Sequence, residues 1–394
     1  MKKAVNVTVT VLFLALIFGL GVAFWIIPDS AISIEENRSD LQLFPSVTLK
    51  TWLDGSVNKE LTDYYSEQFP LRSAWVKLHG LGELALGRGE SSGVLLGKDG
   101  QLATRRFDAY VTHKITWSGT DYFSKSHVKR GTDALVELEQ QLDAPLTVLL
   151  PPRTVDVMAG SLGYPAELSD ELVEAVQTAL TDGGVQSLDL LDTFRKLHDD
   201  GQYVYYRTDH HWTTRGAYVA YAALMKDWGL ESEAMPEEAF TVRQIEDFYG
   251  RIYFKSGMFF VSPDTLEIWE TADDDRYSVT AADGSVILES GFINESYLDE
   301  QDKYSAFLDT ANHSIRIIKD KQATEPRPRL LVAHDSFANC LVPFLARHFD
   351  IVMVNLTKTP AEVSALAAEY QCDRVLVLCN YEYLVTSATV AAIG

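Results

Sequence analysis

Short apolar segments alternate with amphipathic ones along much of the chain, and this alternation restricts the fold more than any other feature. The apolar segments are short enough to be strands and occur at 146–150, 185–191, 330–333, 351–354 and 375–378. Helical patterns fall at 122–142, 169–181, 337–347 and 360–370. Short apolar strands separated by helices predict an α/β fold, with a doubly wound parallel sheet and helices on both faces.

Two parts of the chain depart from this alternation. Residues 239–321 carry a hairpin signal, with Asp283-Gly284 between two apolar runs, and we predict a β-rich insertion there. It lies within an α/β domain over residues 96–394. Residues 29–95 are predicted to form a spacer and an N-terminal helical segment packed on the domain, with helices at 53–69 and 72–86. A Gly-rich hairpin is expected at 87–100.

The N-terminus has the composition of a membrane helix. Lys2 and Lys3 precede an uncharged run from Val7 to Ile27, and about 20 residues suffice to cross the hydrocarbon core. Such a run fits either a cleaved signal peptide or an uncleaved signal anchor. Because no Ala-x-Ala-like cleavage site follows, residues 1–28 are predicted to be a single-pass anchor. The lysines place the N-terminus in the cytoplasm and the remainder outside the cell.

Composition narrows the range of partners. The formal net charge of -22 argues against nucleic acid, which is bound by clustered Lys and Arg. The three cysteines, Cys340, Cys372 and Cys379, form neither a disulfide framework nor a zinc-binding spacing. We therefore expect no cofactor and no metal.

The stretch Asp209-His210-His211-Trp212 concentrates chemistry ahead of a predicted helix that Thr213 caps. On an extended backbone, Asp209 and His211 project to the same side while His210 points away. A carboxylate that orients an imidazole is the arrangement that activates a serine nucleophile. Such a pair requires a serine at the same edge of the predicted sheet.

Ser336 meets this requirement, because it follows the strand at 330–333 and opens a predicted helix. Ligands of open α/β sheets bind beyond the carboxyl ends of the strands, and N–H groups at a helix start stabilise an oxyanion. We predict Ser336 as nucleophile, His211 as general base and Asp209 as the group that orients it. The predicted supporting or oxyanion-stabilising residues are His210, Asn339, Asn380 and Arg153. Trp212 and Tyr206 are candidate substrate contacts, although Trp212 is also explained as a core residue.

Two other interpretations remain open at this point. A metallohydrolase would use Asp209, His210 and His211, with His334 or Asp335 as a further ligand. Adjacent histidines on an extended backbone rarely reach one ion, which counts against this interpretation. A non-catalytic module that binds a glycan or guides it during export is the second, and His334 at the turn before Ser336 keeps this interpretation open.

Several motifs resemble one family of bacterial cell-surface proteins. The segment 208–213, followed by Gly216, resembles the motif that names the DHHW family, and 334–338 resembles the Gly-Asp-Ser-Phe-Ser element of SGNH-hydrolase-like proteins of alginate O-acetylation. Similar N-terminal landmarks lie at 36–38, 44–45, 68–72 and 94–97. The resemblance implies an SGNH-like domain whose triad runs Asp-x-His and then Ser, which again gives Asp209, His211 and Ser336.

The function implied by this resemblance is that of an extracellular O-acetyltransferase or acetylesterase acting on a cell-surface polysaccharide. A membrane-bound O-acyltransferase is the implied acetyl donor. The chain departs from the family pattern at three places. His334 replaces a glycine, Arg153 stands where a lysine is usual, and Asn355-Leu356-Thr357 lacks an Asp-x-Arg pattern. The identity of the acceptor glycan therefore does not carry over.

Overall fold

The computed structural model describes residues 2–36, 38, 41–55, 57–105, 125–162, 169–309, 313–358, 362–387 and 389–393. The chain divides into two compact units, which are described separately. The first unit comprises residues 1–92 and 253–260, and the second comprises residues 93–252 and 261–394.

The first unit is mainly helical. Its elements are α1 (Lys2–Ile26), α2 (Leu49–Leu53), α3 (Val57–Glu67), α4 (Arg72–Ala85) and the short strand β1 (Glu90–Ser91). The helix predicted at 72–86 is confirmed as α4, and the amphipathic stretch 53–69 forms α3. Within α1, Ala4–Ile26 is long and apolar enough to cross a membrane. This agrees with the predicted anchor in length and composition.

An eight-stranded sheet organises the second unit. Its strands, in chain order, are β4 (Leu146–Leu149), β5 (Gln186–Leu188), β8 (Tyr277–Ala281), β9 (Val286–Leu288), β10 (Ile315–Asp320), β11 (Arg329–His334), β12 (Asp350–Asn355) and β13 (Arg374–Leu378). The spatial order is β5-β4-β13-β11-β12-β10-β8-β9. The five strands from β5 to β12 pair in parallel, whereas β10, β8 and β9 pair antiparallel. The predicted parallel sheet is confirmed, and three antiparallel strands extend it.

Burial on both faces explains why the central strands are apolar throughout. All residues of β11 after Arg329 are buried, and so are those of β12 after Asp350. In register, His334 at the end of β11 lies beside Asn355 of β12 and Leu378 of β13. The segments that follow these strands therefore emerge at one edge of the sheet.

The second unit contains the helices α5 (Lys125–Gln141), α6 (Thr154–Val157), α7 (Asp170–Asp182), α8 (Leu191–Asp199), α9 (Thr214–Asp227), α11 (Val342–Ala346), α12 (Val363–Glu369) and α13 (Tyr381–Thr386). One further helix, α10 (Arg251–Ser256), has residues from both units. α7, α12 and α13 pack against α5, whereas α9 packs against α11. In α7 the buried residues Leu172, Val173, Val176 and Leu180 recur at helical spacing.

Residues 239–321 contain most of the antiparallel structure. β6 (Thr241–Phe248) and β7 (Asp264–Glu270) form a separate two-stranded ladder. β8 and β9 form the hairpin that the Asp-Gly pair predicts, and Gly284 has a φ of +83° in its turn. β8, β9 and β10 join the central sheet, so this segment contributes directly to the edge beyond β12.

One predicted element extends beyond its expected bounds, and another is shorter than expected. The hairpin expected at 87–100 is confirmed with β2 (Val94–Leu96) as its first strand and Asp99-Gly100 in its turn, and its second strand, β3 (Leu102–Thr104), lies just beyond residue 100. The helix expected at 337–347 is confined to α11, with Pro343 in its first turn. Ser336 instead begins a single 3₁₀ turn, Ser336–Ala338, so this serine does not open an α-helix.

Candidate active site

The segment around Asp209 is the tip of a narrow hairpin. Tyr205 and Trp212 form an antiparallel bridge, and Thr213 N–H donates to the carbonyl of Val204 at 2.9 Å. As predicted, Thr213 caps α9, because its hydroxyl accepts the N–H of Gly216. The cap and the bridge fix both ends of the tip.

Within the tip, the backbone bends instead of running extended. The Oδ1 atom of Asp209 accepts the backbone N–H of His211 at 2.9 Å, which folds the segment into a turn. The same oxygen lies 2.6 Å from Nδ1 of His211. Asp209 and His211 are therefore paired, but for a different reason than alternation along an extended strand.

The turn also corrects the expected orientation of His210. Its ring centroid lies only 3.9 Å from that of His211, and its Nδ1 is 3.5 Å from Asp209 Oδ1. About 41% of its side chain is exposed, whereas 7% of the side chain of His211 is exposed. His210 thus covers the outer face of the pair rather than pointing away from it.

Ser336 completes a continuous relay. Its Oγ lies 2.7 Å from Nε2 of His211, although the two residues are 125 positions apart. The pKa of Asp209 is raised by burial, but the adjacent His210 and His211, and hydrogen bonds from His211 and Arg251 N–H, lower it below its usual range. An ionised Asp209 only accepts, so Nδ1 of His211 carries the proton and Nε2 accepts from Ser336. The geometry is that of a nucleophile and its base.

The turn that carries Ser336 is held by a second buried carboxylate. Asp335 Oδ1 accepts the N–H of Phe337 at 2.9 Å, and Oδ2 accepts the N–H of Asn380 at 2.7 Å. Burial raises the pKa of Asp335 to about 6, and these two hydrogen bonds oppose the rise. Because the Phe337 N–H is occupied in this way, it does not supply the oxyanion donor that we expected just after Ser336.

Of the predicted supporting residues, two are engaged elsewhere. Asn380 Oδ1 caps α13 by accepting the N–H of Glu382. Arg153 is buried and forms an ion pair with Asp156, with distances of 2.9 and 3.0 Å. Asn339 is buried, and its Oδ1 has no hydrogen-bond partner among the described residues. Because this amide oxygen can only accept hydrogen bonds, an oxyanion role for Asn339 would require its Nδ2 donor and stays a prediction.

Trp212 and Tyr206 lie in the core, with no exposed surface. Trp212 Nε1 donates to the carbonyl of Phe337 at 3.0 Å, and its ring packs on Phe337 and Phe194. This placement argues against the predicted substrate contacts. It gives Trp212 another task, because the indole ties the His211 hairpin to the Ser336 turn.

His334, the residue that departs from the family pattern, makes its contacts away from the relay. Its Nδ1 donates to the carbonyl of Asp335 at 2.6 Å, and Nε2 faces Nη2 of Arg316 at 3.4 Å. Burial, and then the charge of Arg316, lower the pKa of His334 to about 3, so this imidazole is neutral. The His334 side chain therefore supports the turn through the backbone carbonyl of Asp335, and neither of these two contacts involves Asp209, His211 or Ser336.

Three residues of the site lacked a signal in the sequence. Asp264 is buried and accepts the N–H of Thr208 at 2.8 Å and the hydroxyl of Thr208 at 2.5 Å, which anchors the hairpin tip. Gly250 packs directly on Asp209, where an added Cβ would lie 2.2 Å from Asp209 Cβ. Tyr304 stacks on the His211 ring at 4.1 Å, and its hydroxyl donates to the Ser336 carbonyl.

The sheet and the relay at its edge define an SGNH-hydrolase-like protein, and comparisons with known proteins agree. The model of the DHHW protein family matches residues 188–355, and the model of the SGNH hydrolase-like domain of acetyltransferase AlgX matches residues 119–250. The chain is thus similar to DHHW proteins over residues 188–355 and to the SGNH hydrolase-like acetyltransferase domain over residues 119–250. The expected resemblance is thereby confirmed.

The curated relatives carry the same relationship. The probable alginate O-acetylase AlgJ of Pseudomonas putida is 27% identical over 229 residues, which cover 57% of this chain and 53% of that protein. AlgJ of Pseudomonas syringae pv. tomato is 28% identical over 203 residues, covering 50% and 49%. The chain thus matches about half the length of these relatives.

Two solved structures share the fold. A DHHW family protein from Eubacterium siraeum superposes with a TM-score of 0.56 at 18% identity, covering 77% of this chain and 95% of that chain. PatB1 of Bacillus cereus gives a TM-score of 0.58 at 18% identity, covering 75% and 98%. At this identity the likeness supports the fold, while function depends on the site.

Proposed function

We propose that the protein is a serine-dependent O-acetyltransferase that acts on a cell-surface polysaccharide. The observation that carries the proposal is the relay from Asp209 Oδ1 through His211 to Ser336 Oγ, with distances of 2.6 and 2.7 Å. Its relatives include proteins named probable alginate O-acetylases, and its domain is of the SGNH-like acetyltransferase type. A nucleophile, a base and an orienting carboxylate in one chain of contacts suit acyl transfer.

In the proposed reaction, Ser336 Oγ attacks the acetyl carbonyl while Nε2 of His211 takes the hydroxyl proton. The bond between the carbonyl carbon and the donor oxygen then breaks, and that oxygen receives the proton from His211. An acetyl-serine remains. A sugar hydroxyl next gives its proton to His211 and attacks the ester, which transfers the acetyl group and returns the proton to Ser336. Asp209 keeps Nδ1 protonated throughout.

Ser336→Ala tests the nucleophile. With an aryl acetate as donor, we expect release of the aryl alcohol to fall by on the order of 10⁴-fold or more, because the acyl-enzyme no longer forms. Mass spectrometry of the wild-type protein should find the acetyl group on Ser336. Ser285→Ala is the matched control, because Ser285 lies in an exposed hairpin turn. Full activity of Ser336→Ala would contradict the proposal.

Acetyl transfer and ester hydrolysis differ only in what attacks the acetyl-serine. We propose transfer, with a membrane-bound O-acyltransferase as the acetyl donor in the cell and α1 as the anchor that holds the domain outside the membrane. The measurement is the partition of a labelled acetyl group between water and oligosaccharide acceptors. An acetylesterase would release acetate at the same rate whether or not an acceptor is present.

A metallohydrolase is the second candidate function, because one ligand atom each from Asp209, His210 and His211 lie within 4.8 Å of one another. Against it, Nδ1 of His211 is already hydrogen-bonded to Asp209. A chelator and a serine-directed fluorophosphonate distinguish the two candidates. The serine mechanism predicts inactivation by the fluorophosphonate alone, and inactivation by the chelator alone would establish the metal instead.

A further inference from the structure

The helix α4 packs with its apolar face turned outward. Trp75 and Leu78 lie on one face of α4, Leu71 immediately precedes the helix, and all three are exposed, Leu78 by 58%. Gly80 lies about 160° around the helix from Leu78. That opposite face is the packed one, since an added Cβ on Gly80 would lie 3.1 Å from the carbonyls of Ser256 and Gly257. An amphipathic helix normally buries its apolar face, so α4 presents a surface for something else.

The short helix α2 has the same property. Thr48 begins it with a reciprocal capping box to Thr51, yet none of the residues of α2 is buried. Leu49, Trp52 and Leu53 share one side of the helix and are exposed, Trp52 by 63%. The cap stabilises a helix whose apolar side chains make no core within the described protein.

α2 and α4 precede and follow α3 in the chain, and α3 contacts the end of the candidate membrane span. Phe24, in the last turn of α1, contacts Tyr64 and Tyr65 of α3, with ring centroids 5.6 and 5.4 Å apart. Gln68, between α3 and α4, hydrogen-bonds with the backbone of Ser30. Ser30 follows Ile26 by four residues and so lies within about 14 Å of it. The start of α4 is therefore close to the level at which α1 leaves the bilayer.

We infer that these side chains dock on the lipid surface around α1. The juxtamembrane apolar residues are Leu49, Trp52, Leu53, Leu71, Trp75 and Leu78. A zwitterionic lipid interface fits them, because it receives Trp and Leu from helices lying in its plane and adjoins α1 directly. The contact is apolar, and the chain has a net charge of -22, so docking does not depend on anionic lipid or on low salt. The inference rests on α1 as the proposed anchor and is independent of the proposed activity.

Nitroxide labels on the full-length protein in phosphatidylcholine vesicles test this inference. Single labels are introduced with Leu53→Cys and Leu78→Cys on a Cys372→Ser background, because Cys340 and Cys379 are buried. Lys77→Cys is the matched control, since Lys77 is exposed and lies about 100° around α4 from Leu78. At positions 53 and 78 we expect the nitroxide to collide with oxygen, which dissolves in lipid. Its collisions with a water-soluble nickel chelate should be lost there. At 77 the nickel collisions remain, in low and high salt alike.

A label from Phe13→Cys in α1 separates failure of the anchor from failure of the docking. If the α1 label lies in lipid while positions 53 and 78 collide with nickel as freely as position 77, the inference is overturned. Protection of 53 and 78 only in native membranes, and not in pure lipid vesicles, would also overturn it and would indicate a membrane protein as the partner. None of these collision measurements depends on whether a labelled variant retains enzymatic activity.

Discussion

The candidate site contains two buried aspartates, Asp209 beside His211 and Asp335 in the turn of Ser336, and their pKa values shift in opposite directions. Asp209 and Asp335 are exposed by only 4% and 7%, and both accept backbone N–H groups. Burial raises the pKa of each, but the neighbouring His210 and His211 lower that of Asp209, whereas the pKa of Asp335 remains raised, at about 6. Although both are buried, Asp209 is ionised and orients His211, whereas Asp335 caps the turn that carries Ser336. The partners of a carboxylate, not its depth, decide its role.

Replacing each carboxylate by its amide is expected to give the largest difference between the two aspartates. In Asp209→Asn, the amide no longer holds the proton on Nδ1 of His211, and we expect kcat to fall by on the order of 10⁴-fold. Asp335→Asn should cost activity less than about tenfold, because Asp335 contacts backbone N–H groups rather than His211. Rates of acetyl transfer from an aryl acetate measure both. Equal losses would contradict the assignment of roles.

A smaller effect is expected from crowding Asp209 without altering its charge. In Gly250→Ala the new Cβ would lie 2.2 Å from Asp209 Cβ and 2.5 Å from its Oδ2, so the carboxylate or the chain around Arg251 must move. Displacement of a catalytic group by about 1 Å costs on the order of 10²-fold, and we expect kcat to fall by that amount. Kinetics and thermal unfolding are measured together.

Gly160→Ala is the control for this substitution, since an added Cβ there meets nothing within 4 Å. It should leave both kcat and the melting temperature near those of the wild type. If Gly250→Ala also retained full kcat, the position of Asp209 would not limit the reaction, and the contrast with Asp335 would lose its basis.

The pH dependence of stability sharpens the contrast, because the two carboxylates contribute with opposite sign. Asp335 stays protonated in the folded protein up to about pH 6, but only to about pH 4 when unfolded. The folded state therefore holds more protons between these values, and stability falls as pH rises from about 4 to 6, by on the order of 3 kcal/mol. Asp209, whose pKa is lowered, stabilises the fold above about pH 4, and this contribution is lost at lower pH.

Urea unfolding of wild type and Asp335→Asn at several pH values from 4 to 7 measures this difference. The amide leaves one N–H without its carboxylate acceptor, so the variant is less stable at pH 4 by about 1–3 kcal/mol. The decisive quantity is the slope, since the wild type should lose stability relative to the variant up to about pH 6. Parallel curves would show that Asp335 does not titrate in this range.

Local and periodic signals in the sequence predict the central elements of the fold correctly. The buried strand β11 reads as a continuous apolar run, and Thr213 caps α9 through contacts three residues away. The rule that sites form at the carboxyl ends of parallel strands brought Ser336 into consideration together with His211. That rule needs only that the strands are parallel, which the alternation of strands and helices indicates.

Long-range contacts from irregular segments were not accessible in this way. Asp264 reaches Thr208 across 56 positions, and Tyr304 lies in a 3₁₀ turn without a recognisable motif. The assumed extended backbone at Asp209 was wrong, because the carboxylate binds the N–H of His211 and bends the chain. The helix expected after Ser336 is shorter because Asp335 caps only a single 3₁₀ turn there.

The smallest expected effect concerns His210, the residue that distinguishes the surroundings of the two carboxylates. Its side chain is about 41% exposed, and its Nδ1 lies 3.5 Å from Asp209, so solvent weakens its interaction with the carboxylate. We expect His210→Ala to lower kcat by less than about tenfold, equivalent to about 1.4 kcal/mol, whereas His211→Ala removes the base and abolishes activity. Acetyl-transfer rates of the two variants at neutral pH give the ranking. A larger loss in His210→Ala than in His211→Ala would reverse the roles of the two histidines. His210 would then be the catalytic base, and its charge is also the largest single influence that lowers the pKa of Asp209.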